Sequence, residues 1–280
     1  MSRNSDPDPD VMATLRARIR TIEKNSESLR GPSEKRAAIS LTPTLDAVLS
    51  ASSGGAGGLA QGALHEIVSA PGANGAVGGF AAALLSLTSR SEAVGGQGVV
   101  LWCQRRRDAD EMGALYAPGL AAFGLQPEQL LVVQAGRDRD VLWAMEEGVK
   151  SAALVAVLGE IDDLSFTASR RLQLAAESSG VAILLVRSGG RQSSTTSAAM
   201  TRWKVGSGRT KAAQTGSTYE TSWQLELLRC RGGAPGRWTV EWRDGRLCDG
   251  AAAEDPADHI AVAADLRQRP RQSAQARLAV

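Results

Sequence analysis

The sequence predicts an α/β domain with a mostly parallel central sheet flanked by helices, plus C-terminal antiparallel strands. Three observations carry that prediction. Short apolar runs at Leu64–Val68, Gly98–Cys103, Leu130–Val133, Ala153–Leu158 and Val181–Val186 alternate with segments of helical periodicity, the order that builds a parallel sheet through crossover helices. Val181–Val186 has almost no polar interruption, and strands this apolar are expected to be buried on both faces. Two later runs, Trp223–Arg231 and Arg237–Trp242, flank the turn GGAPG and read as a hairpin added at the sheet edge.

Length and composition bound what such a domain does. With 280 residues and 43% hydrophobic content, the chain has material for one core of about 200 residues and an extension at each end. The expected division is an N-terminal amphipathic helix and linker over 1–40, a core domain over 41–248 and a flexible tail over 249–280. The formal charge of +2 leaves any affinity for nucleic acid to a local patch. Cys103, Cys230 and Cys248 form no C-x-x-C pair, and two histidines are few for a zinc site. A reduced, cytoplasmic protein without metal or other cofactor is expected. No run of about 18 apolar residues occurs, and MSRNSDPDPD has no apolar signal core, so neither membrane nor export is expected.

Residues 1–10 are polar, and Asp10 is placed to cap a helix whose apolar stripe is Val11, Leu15, Ile19, Ile22 and Leu29. That stripe packs on its own domain or docks on a neighbour across the tether 31–40. The stretch Gly57–Leu87 then gives an apolar strand, a glycine-rich loop (SAPGANGAVGGF) and a helix over Phe80–Leu87. This is the layout in which backbone N–H groups and a helix N-terminus cradle an anion. Pro71, Gly72, Asn74, Gly75, Gly78 and Gly79 form that degenerate phosphate loop. The pattern G-x-x-x-x-G-K-[ST] also needs a lysine for the outer phosphates and a hydroxyl for magnesium, and neither follows any glycine between Gly72 and Gly79. The glycines either hold an anion or simply turn the chain.

Downstream, Asp108–Phe123 suits a helix broken at Pro118 and Gly119. Asp138–Lys150 begins acidic and ends in lysine, as the helix dipole favours, and Ser165–Ser178 stops at Gly180. Ser188–Ala199 is a polar loop expected to be mobile, Met200–Val205 a strand, and the tail polar apart from a helix over 258–267.

This order resembles the core of RecA, and Thr44, Leu45, Asp46, GGL at Gly57–Leu59, Gly62 and Glu66-Ile67 reproduce the run leading into its phosphate loop. The resemblance then fails at four positions. Ala76–Gly79 replace the lysine, Gly159 stands where an aspartate ends the fourth strand, Gln104 replaces a water-activating glutamate, and Arg187 a nucleotide-sensing glutamine. Because strand side chains alternate faces, Glu160 is expected to point away from the magnesium position. A closer resemblance, to the ImuA family of RecA-like mutagenesis proteins, covers about residues 40–245. It rests on LYAPGL, LWAMEEG, SRRLQLAAE, TRWKV, LELLRCRGG and RWTVEW. It implies a RecA-like accessory protein of DNA-damage-induced (SOS) translesion synthesis, nucleoid-associated when induced. The implied partners are RecA and the Y-family polymerase homologue ImuB, beside a DnaE-type polymerase.

Arg187, Arg191, Arg202 and Lys204 flank the loop that corresponds to a DNA-binding loop of RecA and are candidates for phosphate contact. The run Arg105, Arg106, Arg107 is a second basic patch. Trp223, Trp238 and Trp242 suit either base stacking or core packing. Glu160, Asp162 and Asp163 read as a solvated acidic loop. The function expected is non-catalytic, a degenerate ATPase that binds partners through Val11, Leu15, Ile19 and Ile22. A single-stranded DNA-binding module and an unorthodox ATPase are the alternatives.

Overall fold

In the computed structural model, residues 37–91, 98–151, 153–187, 196–208 and 221–250 are described. The expected stripe at Val11, Leu15, Ile19 and Ile22, Arg191, and the tail beyond Gly250 lie outside them. The described strands are β1 (Ala38–Ile39), β2 (Leu59–Ala60), β3 (Leu64–Ser69), β4 (Val99–Arg105), β5 (Leu130–Ala135), β6 (Leu154–Ile161), β7 (Ala182–Arg187), β8 (Thr201–Ser207), β9 (Thr221–Cys230), β10 (Gly236–Arg243) and β11 (Arg246–Asp249). The helices are α1 (Pro43–Leu49), α2 (Asn74–Ser89), α3 (Arg106–Met112), α4 (Ala117–Ala122), α5 (Asp138–Val149) and α6 (Phe166–Ser179).

Nine strands form one sheet in the order β11-β10-β9-β8-β3-β7-β6-β4-β5. From β8 to β5 every neighbouring pair is parallel, and β8 through β11 are antiparallel. This is the mixed sheet the sequence predicts, with β1 and β2 as a separate antiparallel pair. Both faces are covered. Leu45 and Leu49 of α1, most of α2 and Leu120 of α4 pack with Trp203, Trp223 and Trp242 on one face. Val141, Met145 and Val149 of α5 and Leu172 and Ala176 of α6 cover the other.

Local chemistry explains the helix ends. Thr42 caps α1 from the β region with Pro43 as the first helical residue, and Ser165 accepts from the Ala168 N–H to cap α6. Gly180 stops α6 at φ 79°, a left-handed position that suits glycine.

Three expectations are corrected. The segment 106–123 is two helices parted at Gly113 (φ 93°), and Pro118 lies in the first turn of α4 instead of breaking it, because the first turn needs no proline N–H. β5 is not buried on both faces: as the edge strand it leaves Leu131 53% and Val132 45% exposed. The loop expected to be mobile through residue 197 is anchored at its end, where the Ser197 hydroxyl donates to Glu66 Oε2 at 2.7 Å.

Candidate functional site

The glycine-rich stretch is mostly helix. The turn between β3 and α2 spans only Ala70–Ala73, with exposed Pro71 and Gly72 and with Gly72 at φ 74°. Asn74 opens α2, so Gly75, Gly78 and Gly79 occupy its first two turns, not a loop. Each helical glycine costs about 1 kcal/mol relative to alanine. Burial of Phe80, Leu84 and Leu85 further along contributes roughly 1.5–3 kcal/mol apiece and outweighs that cost. The N-cap, Ala73, makes no side-chain hydrogen bond, so the first N–H groups of α2 have no side-chain cap.

The bare glycine side of α2 faces open space. A Cβ at Gly75 or Gly78 would meet nothing within 4 Å, whereas at Gly79 it would lie 3.3 Å from Phe123. The result is a groove of about 640 Å³ between α2, the exposed Tyr116, Leu120 of α4 and the starting end of β9. Trp223 closes its floor by donating its indole N–H to the Ala76 carbonyl (2.9 Å) and packing edge-on against Phe80. Ser222 lines the groove with its hydroxyl buried and without a hydrogen-bond partner among the described residues.

The carboxylate expected on the far face is on this one. β6 runs on through Glu160 to Ile161, and Ala156, Leu158 and Glu160 alternate onto the α2 face, while Gly159 faces Met145 of α5. Glu160 accepts the Trp102 indole N–H, and burial pushes its carboxyl above the usual range against that hydrogen bond. Gln104, next to the end of β4, has a buried side-chain amide nitrogen without a hydrogen-bond partner among the described residues.

The acidic loop beyond β6 is not simply solvated. Arg105 donates to Asp108 and Asp162 and lies 3.2 Å from Asp138, while Arg107 pairs with Asp162. These arginines hold the Asp162 carboxyl below its usual range, chiefly through the Arg105 hydrogen bond. Asp138 also accepts the backbone N–H groups of Asp162 and Asp163. Arg105 therefore joins the ends of β4, β5 and β6.

Of the candidate phosphate contacts, Arg187 and Arg202 are both tied to Glu66. Arg187 is fully buried and donates to Glu66 Oε1 at 2.9 Å, so it is a core residue, not a DNA contact. Arg202 grips both oxygens of Glu66 at 2.9 and 3.1 Å. Lys204, 41% exposed, lies 3.4 Å from Glu226. The tryptophans pack inward: Trp223 is 1% exposed, Trp242 9%, and Trp238 rests on Trp203.

No family model matches this chain. It is 32% identical over 199 residues to the protein named ImuA from Caulobacter vibrioides, in both strain NA1000 / CB15N and strain ATCC 19089 / CIP 103742 / CB 15. The match covers 66% of this chain and 77% of the relative. The chain belongs to the ImuA family. In this ImuA-family protein the role that the sequence does not show is that of Glu66, the carboxylate that unites β3, β7 and β8. A signal was present, since a lone glutamate inside the apolar run LHEIV needs a buried cation. Its two arginine partners stand 121 and 136 residues away, at distances no local pattern spans.

Proposed function

We propose that the protein is a non-catalytic accessory factor of DNA-damage-induced mutagenesis, acting in translesion synthesis through contacts with RecA and an ImuB-type polymerase homologue. Family membership supports the pathway. One observation carries the non-catalytic part: the turn Ala70–Ala73 and the start of α2 offer neither a lysine nor a hydroxyl to a nucleotide, and glycines open onto an apolar groove there. Loss of a single electrostatic stabiliser in such a site costs about a hundredfold or more in rate, and here several are missing.

The test is phosphate release from magnesium ATP by the purified full chain, alongside capture of purified RecA and ImuB homologue. Blank-level turnover with capture of either protein is the expected result. Turnover that co-purifies with the chain and falls in a Glu160→Gln variant would instead favour the unorthodox ATPase. That second reading draws on Glu160 sharing a face with α2.

A further inference from the structure

β5 ends the nine-stranded sheet, and its outer edge pairs with no other strand among the described residues. Such an edge presents unpaired N–H and C=O groups that template another strand. Proteins blunt it with lysine, proline, a bulge or a covering element. β5 reads LLVVQA, has neither proline nor charge, and lies on β4 without a register shift. At the opposite end of the sheet β11 is four residues long and carries Arg246 and Asp249, both exposed. Leu131 and Val132 are adjacent and so point to opposite faces, which leaves an exposed apolar side chain on each. Leu130 packs against the core on the α2 side, and Val133 and Ala135 on the α5 side. A strand that continues this edge must therefore be apolar on both faces, as a second β5 is.

We propose that two copies of this chain associate edge to edge through β5, antiparallel about a two-fold axis. An axis normal to the sheet requires opposed residues to share a face. With the axis at Val132 this holds: Val132 meets its own copy, Leu131 meets Val133, and Leu130 meets Gln134. The ends then match in charge. Glu128, just before β5, is exposed and has no ionic partner among the described residues. Beyond β5, Arg137 and Arg139 are 66% and 71% exposed and share one carboxylate, Asp140, at 3.3 and 3.2 Å. In this register the turn Pro127–Gln129 that carries Glu128 comes to the end where β5 of the second copy leads into Arg137, with its surplus positive charge, and symmetry repeats the pairing at the other end.

Sedimentation velocity of the full chain over a concentration series tests this, with amide exchange read on β5. The expected result is a mass that doubles with concentration while the β5 amides that point away from β4 gain protection. Val132→Lys abolishes the doubling and leaves the melting temperature unchanged. Glu128→Arg and Arg137→Glu each weaken association, and the two together restore it, a rescue that no purely structural role produces. A wild-type chain that stays monomeric at every concentration overturns the proposal. So does a dimer that survives both Val132→Lys and Glu128→Arg, or protection in the monomer of the β5 amides that point away from β4, which would mean that another segment of the chain covers the edge.

Discussion

His65, 1% exposed in β3, shows how a single side chain sets a pH limit. A carbonyl can only accept, so the Ala60 oxygen fixes the proton on Nε2; Nδ1 then accepts from the Thr201 hydroxyl, which in turn accepts the Trp203 indole N–H. Both ring nitrogens are committed with the ring neutral. Burial lowers its pKa from 6.5 to about 4, against a smaller raising effect of the Ala60 hydrogen bond. Below pH 6.5 the unfolded chain binds a proton that the native chain refuses. Stability is therefore full above pH 6.5 and falls by roughly 3 kcal/mol as the pH drops to about 4. Urea unfolding at stepped pH should show that slope in the wild type and lose it in His65→Gln; an imidazole titrating near its ordinary value by NMR would refute the account. Glu66 governs a second residue-scale effect. Removing it as Glu66→Ala takes the carboxylate from fully buried Arg187 and the bidentate partner from Arg202, and should cost about 3–5 kcal/mol in chemical denaturation. A cost under 1 kcal/mol would show that the arginines find other partners.

At the scale of the element, α2 holds glycine where helix formation favours almost anything else. Gly78→Ala places a methyl in open space and should raise stability by roughly 0.5–1 kcal/mol, whereas Gly79→Ala meets Phe123 and should gain less or lose. Parallel denaturation curves decide, and a destabilised Gly78→Ala would mean that the groove beside α2 is filled. β6 behaves in the opposite way. A Cβ at Gly159 would sit 2.1 Å from Met145 Sδ in the packed α5 layer, so Gly159→Ala should cost about 1–3 kcal/mol by overpacking. An unchanged melting midpoint would show that Met145 moves aside freely.

Across the whole molecule, the sheet separates two apolar layers, and the three cysteines report on them. Cys103 is fully buried in the α5 layer, where burial pushes its thiol up to about 12; Cys230 is also buried, and Cys248 on β11 is half-buried. Thiolate, not thiol, reacts. A disulfide reagent added to the native protein should modify Cys248 first and Cys103 only on unfolding. Rapid native labelling of Cys103 would show that the α5 layer opens locally.

The order of apolar runs and helical segments was enough to determine the α/β class, the parallel core and the antiparallel hairpin. Each is a local consequence of periodicity and turn chemistry. The missing lysine and hydroxyl were equally plain, since a motif is a matter of neighbours in sequence. Where the signal was local but shared between states, the reading slipped: the glycines of α2 look like loop until the burial of Phe80–Leu85 pulls the helix back to Asn74. What the tertiary structure alone decided concerns partners distant in the chain. Arg187 and Arg202 look like phosphate ligands until Glu66 lies between them, and Arg105 looks like a surface cation until Asp138 and Asp162 close on it. A charge in sequence has no fixed role, because whether it faces solvent or a buried counter-ion depends on the position of its strand in the sheet, and strand order is a global property of the fold.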